Sequence, residues 1–530
     1  MSARRLLLVL PVALALAAPA RAATTCDAPG AQWNRAQPAD VGMDAAKLQA
    51  ALDYGTQNLG FALRVYRHGC LVGSDRAAAA NARQQFESWS MGKSVVSLIF
   101  GRAMTMGLIS PDDPVGSLLP EADQAHGAIT MRDLLTQTSG LHWNGARDYN
   151  IFTTPDRVHD ALTLPVDHPH GTYFEYAQSP VALLAEAVGR AAGEDVQVFG
   201  QRELFDPLGI PAAAWKWTRD KAGHVQGFYG VNMTPDDYAR LGDLLRRGGM
   251  WNGRRLLSKR YVREAVVPSA TNGCYGWLIW TNGGTPCIGP TIGSRPVSDE
   301  REFPGLPHDL WNFSGLFGQL VTVFPSEDVE VVRLGQDSSL AFSAANSGSG
   351  GDWEQGLYER VLASLTDTTP VAGDSPPVPA AAKTDHDYGF QTAFLHPEIY
   401  GKGTAQDPLP PAGPSRARAL RPRLAHVRAS RTGVVSIRVT CPDRWPGWGV
   451  QAGCVGQAEL ENARGPVAFM LAPQATRVLR FRLTSAALRG LRRTGRASLA
   501  LMTTNVDTAG GTPAAIRLAV LRPRAPRSRS

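Results

Sequence analysis

A chain of 530 residues is longer than one hydrophobic core can organise, so two or three domains are expected. Its net charge of +7 is unevenly spread: from Arg416 to Ser530, twenty-one arginines face four acidic residues, giving +17 there and −10 in the rest. That basic tail lacks the aromatic interleaving or reading motif of a nucleic-acid binder, and no C-x-x-C spacing supports a zinc ribbon or redox motif.

Met1 to Ala22 has the plan of a secretory signal: Arg4 and Arg5, an apolar middle from Leu6 to Ala18, and a small-x-small site at Ala20-Arg21-Ala22. The apolar middle is too short and too alanine-rich to span a membrane, and no later segment reaches spanning length. The expectation is a secreted, extracellular protein cleaved near Ala22 and without a lipid anchor on Cys26. Six cysteines in an exported chain suggest disulfides. The simplest pairing joins Cys274 to Cys287, Cys441 to Cys454 and Cys26 to Cys70.

Two strands are predicted in Gly60 to Val72, with a turn at His68-Gly69. Next comes Ser88-Trp89-Ser90-Met91-Gly92-Lys93, followed by an apolar run from Ser94 to Met106 that Gly107 ends. This predicts a helix starting at or near Ser90. Residues at i and i+3 share a helix face, so Ser90 and Lys93 can meet. The electropositive helix N-terminus favours an alkoxide on Ser90 and disfavours an ammonium on Lys93, and burial disfavours the ammonium further. A neutral lysine beside a serine is a nucleophile with its own base, the S-x-x-K logic. Lysine is scarce here, and of Lys47, Lys93, Lys216, Lys221, Lys259, Lys383 and Lys402 only Lys93 has a serine three residues before it. The structural alternative, a serine N-cap and a lysine that snorkels to water, stays open from this stretch alone.

Further helices are predicted from Thr130, as cap, to an end at Thr138-Ser139-Gly140-Leu141, from Val181 to Ala192 closed by Gly193, and after Met233-Thr234-Pro235 up to Gly248-Gly249. Strands are predicted at Tyr275 to Thr281, Gly318 to Phe324 and Val329 to Leu334, then an amphipathic helix from Trp353 to Leu365. Strands at both ends and helices between them suggest one sheet with an inserted helical lobe and a cleft where the two meet. Residues 367–415 are rich in Pro, Ala and Gly and are expected to be a linker, with one ordered turn around Tyr388 to Phe394. Residues 416–524 then alternate short β-rich runs with turns: Val434 to Thr440, Ala458 to Glu461, Val467 to Leu471, Val478 to Leu483, Ser498 to Thr504 and Ile516 to Leu521. They are expected to form a separate all-β sandwich, with 525–530 a disordered tail.

Four ordered stretches carry a family resemblance: Ser90-Met91-Gly92-Lys93; Leu134 through Ser139-Gly140-Leu141; Gly171-Thr172-Tyr173-Phe174-Glu175-Tyr176; and Met233-Thr234-Pro235 through Gly249-Met250-Trp251-Asn252-Gly253. With these, the chain from about Arg35 to Leu365 resembles the serine β-lactamase and penicillin-binding superfamily. The resemblance is to its class C-like branch of esterases, D-amino-acid-releasing peptidases and nylon-oligomer hydrolases. It implies an α/β (α+β) fold with an antiparallel sheet flanked by helices plus an all-helical lobe, spanning 23–366. It further implies Ser90 as acylated nucleophile, Lys93 as its base and Tyr176, from a Y-x-N motif, as second proton carrier. The N–H groups of Ser90 and Leu316 would form the oxyanion hole, each donor worth about 3 kcal/mol in the transition state.

Two departures qualify the resemblance. Tyr176-Ala177-Gln178 puts Gln178 where the family has Asn, and Phe313-Ser314-Gly315 stands where a cationic K-T-G or H-x-G motif is usual. Gln178, Phe313, Ser314 and Gly315 are the expected substrate-binding positions. Loss of the cation argues against penicillin hydrolysis and peptide-carboxylate trimming and leaves a small ester or amide as substrate. The competing expectation is a catalytically weak or inactive relative that binds an anionic cell-envelope polymer through the basic C-terminal part. A Ser-His-Asp hydrolase has less support: there is no G-x-S-x-G, and His142, His168, His170 and His308 have no partner placed by sequence. His168-Pro169-His170 is taken as an exposed loop, and no metal or cofactor is expected.

Overall fold

The computed structural model describes residues 24–57, 60–75, 82–143, 148, 154–290, 297–335, 352–370, 377–379, 421–422, 426–440, 454–464, 467–471, 476–505 and 514–521. The signal at 1–22, the turn at Tyr388 to Phe394, most of the 367–415 linker, Cys441 and the 525–530 tail lie outside the described residues, and the Cys441–Cys454 pairing with them.

Six strands form one antiparallel sheet: β1 (Gly60–Arg67), β2 (Cys70–Ser74), β3 (Trp280–Thr281), β4 (Trp311–Gly315), β5 (Gln319–Phe324) and β6 (Val329–Gly335), in the order β2-β1-β6-β5-β4-β3. β1 from the start of the chain pairs with β6 from far along it, Val65 opposite Val331. The sheet is therefore closed from both ends, and the helical middle is inserted between β2 and β3. Successive side chains point to opposite faces of a strand, and both faces of this sheet are covered. Ala62 and Tyr66 of β1 join a core cluster with Val95, Leu98 and Leu184, whereas Leu63 and Val65 join another with Leu48, Leu52, Leu357 and Tyr358.

Five helices frame the sheet: α1 (Ala45–Gln57), α2 (Met91–Thr105), α3 (Ser179–Ala192), α4 (Pro235–Arg246) and α5 (Asp352–Leu362). α2 is apolar nearly all round, as a helix enclosed in a core must be, and its residues from Met91 to Gly101 are buried. Each fully buried Leu, Ile or Phe of that kind contributes about 1.5–3 kcal/mol relative to exposure. Thr234 caps α4 by accepting from the Asp237 N–H, and Pro235 takes the first position, where no N–H is needed. Gly193 ends α3 in the left-handed region. Disulfides join Cys26 to Cys70 and Cys274 to Cys287. No helix among the described residues is long and apolar enough to cross a membrane.

Two expectations change. The strand from Tyr275 to Thr281 is reduced to Trp280–Thr281. Leu278 takes a left-handed φ of 55°, and the Gly276 N–H donates to the Ile279 carbonyl at 2.8 Å, so the chain turns where a strand was expected. The C-terminal strands form a three-stranded sheet (421–422, 434–440, 476–482) and a five-stranded one (426–428, 454–460, 467–471, 496–505, 514–521), and both feed one core cluster. A helix over Ser485–Thr494 sits among them, capped by Thr484 and stopped by Gly495, so this part is not purely β.

Candidate active site

The turn before α2 is unusual. Trp89 has a positive φ of 47°, in a region that bulky residues avoid. Ser90 follows as the N-cap residue of α2, yet its side chain makes no capping bond. Its hydroxyl is thus not spent on the helix, which removes the structural alternative of a simple serine cap. The other half of that alternative fails as well: Lys93 is 1% exposed and does not reach solvent.

Lys93 Nζ lies 3.1 Å from Ser90 Oγ and donates to Gln178 Oε1 at 2.7 Å. It also sits 4.5 Å from the centre of the Tyr176 ring. Burial pushes the ammonium down to about 7, against the opposing charge of Asp148. Gly92, the small residue of the S-x-x-K turn, packs on backbone: a Cβ there would meet Tyr229 N and Cα at 3.0 Å.

Tyr176 is buried, and the Ser90 side chain acts on its phenol. Burial, with a smaller contribution from Asp148, raises its pKa well above the ordinary tyrosine value. Desolvation prevails over the neighbouring amine, so the resting phenol is protonated and a donor. Its ring is walled by Tyr275 and Trp280, at 6.0 and 5.6 Å between centroids.

The chain places these heads with residues that sequence reasoning missed. Gln137, fully buried and left-handed at φ 58°, braces the Tyr176 segment: its carbonyl accepts from Glu175 N–H at 2.9 Å, and its Oε1 from Ala177 N–H at 2.6 Å. Asp148 accepts from the Gln178 N–H at 2.8 and 3.1 Å. Burial raises the Asp148 pKa, opposed by the charges of Arg157 and Lys93. Arg157 is completely buried, with its guanidinium 5.3 Å over the Phe228 ring. Glu87 receives the Trp89 N–H at 3.2 Å. Spacing gives no hint of these residues, since they reach the site from separate parts of the chain: Glu87 from a short strand, Gln137 from a turn and Arg157 from the start of a helix.

The expected substrate positions separate. Gln178 spends its side-chain oxygen on Lys93. Phe313 is 2% exposed and packs on Trp311 in the core. Ser314 pairs with Leu320, which belongs to the cluster under α1 and α5, so it stands on the sheet face opposite Phe313 and Val321. Gly315 does come to the site: a Cβ there would overlap the Ser88 carbonyl oxygen and stand 3.2 Å from Met91 N. The missing side chain lets the end of β4 lie against the start of α2. The half-buried Leu316 follows at once, in a turn completed by Phe317 at φ 69° and Gly318. Gln319 braces this turn by donating to the Leu316 and Phe317 carbonyls, both at 3.3 Å. The Phe317 ring meets Trp89 edge to face at 5.0 Å.

The histidines are engaged elsewhere, His142 with Asp167 at 2.7 Å and His170 with Asp133 at 2.8 Å. Among the described residues no group of three His, Cys, Asp or Glu side chains could hold a metal ion.

A half-buried serine beside a buried lysine and a buried tyrosine, between an antiparallel sheet and a helical lobe, is accompanied by a direct match. The Beta-lactamase family model matches residues 45–348, more than half of the chain. This chain belongs to the beta-lactamase family. Its membership places it in the superfamily shared with the penicillin-binding proteins. A Bacillus subtilis (strain 168) protein named "Putative penicillin-binding protein PbpX" is 26% identical over 282 residues, 50% of this chain and 68% of that protein. Among solved structures, a penicillin-binding protein homologue from Caulobacter crescentus is 16% identical, covering 61% of this chain and 99% of its own, with a TM-score of 0.46. The D-alanine carboxypeptidase AmpC from Burkholderia cenocepacia is 18% identical, covering 61% and 100%, with a TM-score of 0.45.

Proposed function

We propose that this chain is a secreted serine hydrolase acting through an acyl-Ser90 intermediate on a small, uncharged ester or amide. The observation that carries the reading is the 3.1 Å separation of Ser90 Oγ from a buried lysine amine whose pKa is lowered to about 7. Near neutral pH a substantial fraction of Lys93 is unprotonated and can take the Ser90 proton as Oγ attacks the carbonyl carbon. The oxygen of the tetrahedral intermediate would be held by the N–H groups of Ser90 and Leu316. The Tyr176 phenol then gives a proton to the departing alcohol or amine and is reprotonated from Lys93. Water, activated through the same amine, cleaves the acyl ester and restores Ser90.

Substrate class follows from the residue at the third motif. Phe313 supplies no charge to fix a carboxylate, which disfavours β-lactams and peptide C-termini. A fluorophosphonate probe is expected to label Ser90, and screening short esters, D-amino-acid amides and linear amide oligomers should then give an acyl-enzyme mass shift. Labelling of another serine, with Ser90→Ala still active, overturns the reading.

One observation favours a second role. Arg438, Arg480 and Arg482 are exposed on the same face of the three-stranded C-terminal sheet, and none has an ion pair among the described residues. Unneutralised arginines suit an anionic cell-envelope polymer. A mature protein that binds cell-wall material but turns over no simple ester, amide or chromogenic β-lactam would make binding the main function. On this proposal 23–366 is the hydrolase domain and 416–524 a binding domain.

A further inference from the structure

The Glu87 carboxylate stands where the turn before Ser90 meets the Gly230–Asn232 segment. It accepts three hydrogen bonds, and a fourth donor, Ser88 Oγ, has its one proton directed at closer range to the Trp89 carbonyl, at 2.9 Å. From its own turn come the Trp89 N–H at 3.2 Å and Ser88 Oγ at 3.4 Å; from across the site come the Gly230 N–H at 2.6 Å and Asn232 Nδ2 at 2.8 Å. Two backbone ties run alongside, Ser88 N–H to the Val231 carbonyl at 2.7 Å and Val231 N–H to Ser88 Oγ at 3.2 Å. The residue between Glu87's turn and the nucleophile is Trp89, held at a positive φ that a tryptophan does not adopt unless its surroundings enforce it.

We propose that Glu87 is a positioning residue: by accepting from both the Ser88–Trp89 turn and the Gly230–Asn232 segment, its carboxylate holds Trp89 left-handed and so aims Ser90 Oγ at Lys93. The inference rests on Ser90 being the nucleophile. A carboxylate suits the task because it is acceptor-only, and the N–H groups of Trp89, Gly230 and the Asn232 amide converge on it. On protonation one oxygen becomes a donor, and an N–H that meets that oxygen, from one side of the tie or the other, loses its acceptor. Although Glu87 as a residue is only partly buried, enclosure of its carboxylate raises its pKa to about 7, so this loss falls within an accessible pH range. The titratable groups that sense its charge are Tyr229 and Tyr238, phenols kept protonated by burial across that range. Lys93, electrostatically linked to Asp148, is the other group titrating at the site.

The test is the rate of Ser90 labelling by a fluorophosphonate from pH 5.5 to 8.5, in wild type and Glu87→Gln. Wild type should lose rate on the acid side with a logarithmic slope approaching two, one proton on Lys93 and one on Glu87. Glu87→Gln should label at least tenfold more slowly at pH 8.5, with an acid slope of one. Labelling within twofold of wild type and an unchanged slope overturn the proposal. Wild type that does not label at Ser90 overturns the hydrolase reading instead, so the two failures are distinct. Should Glu87→Gln not fold, Asn232→Ala serves: losing that donor raises the Glu87 pKa, and the acid limb should move to higher pH. An unmoved limb overturns the proposal.

Discussion

Lys93 Nζ is closer to Gln178 Oε1, at 2.7 Å, than to Ser90 Oγ, at 3.1 Å. The amine is thus oriented by a neutral acceptor on α3 and left free to titrate, rather than fixed as half of an ion pair. A glutamine in the place of the family's asparagine keeps the amide carbonyl that accepts from the lysine.

Replacing Lys93 by Met should reduce acylation of Ser90 by at least about 10²-fold, the low end of the usual range for a general base. Lys93→Arg should fare no better, because a guanidinium does not give up its proton in this pH range. Stopped-flow acylation by an activated ester checks both.

The pH dependence of stability has a definite sign. The folded pKa of Lys93 lies below its unfolded value near 10.4, so the unfolded chain binds the extra proton between them. Wild type should therefore gain stability from this residue as pH rises from about 7 to about 10. The Tm difference between Lys93→Met and wild type is expected to be most favourable to the variant below pH 7 and to shrink over that interval. Calorimetry at fixed ionic strength would show it, and a difference independent of pH would contradict a lowered Lys93 pKa.

Asp148 acts on the same amine from a distance. Its charge raises the Lys93 pKa, so Asp148→Asn should lower it. The acid limb of kcat/KM should move to lower pH by roughly one unit, an interaction of about 1.4 kcal/mol. A shift to higher pH would show that Asp148 acts by some other route.

Tyr176→Phe keeps the ring over Lys93 and removes the hydroxyl that meets Ser90. Turnover of substrates with poor leaving groups, such as amides, should fall about 10²-fold or more, while activated aryl esters lose much less. Because burial keeps the phenol protonated, wild type should show no loss of activity from Tyr176 ionisation below pH 10. A leaving-group series measured across pH separates these expectations.

Gly315→Ala would drive a methyl group into the Ser88 carbonyl oxygen, which is backbone and cannot swing aside. The expected cost is about 1–3 kcal/mol of stability, with Ser90 reactivity falling more than that loss alone implies. Chemical denaturation and probe labelling on the same sample give the two quantities.

Local signals revealed most of the fold. Thr130, Thr234, Gly193 and Gly107 mark helix ends by the chemistry of single residues, and the structure puts ends at or beside all four. The S-x-x-K pair was legible because one helical turn brings i and i+3 together. What spacing could not convey is anything imposed by residues distant in the chain. Gln137 and Asp148 meet the Tyr176–Gln178 segment across sequence separations of 40 and 30 residues, and the orientation of Ser314 depends on register with Leu320. The Tyr176 pKa is raised because desolvation by the aromatic wall prevails, a sum over neighbours that the motif does not name. The helix over Ser485–Thr494 had both its signals, Thr484 and Gly495, but Gly490 inside it and the surrounding β-rich runs obscured them.

Trp89 and Phe317 occupy backbone conformations in which glycine would be more comfortable, by about 1–2 kcal/mol each. Randomising those two codons should therefore divide the surviving clones. Glycine-bearing ones would relax the backbone but lose a ring whose burial is worth more, about 3–5 kcal/mol for Phe317, and so would melt earlier as well as acylate poorly. Aromatic ones would hold the ring pair beside Ser90, the packing of the rings outweighing the discomfort of the backbone.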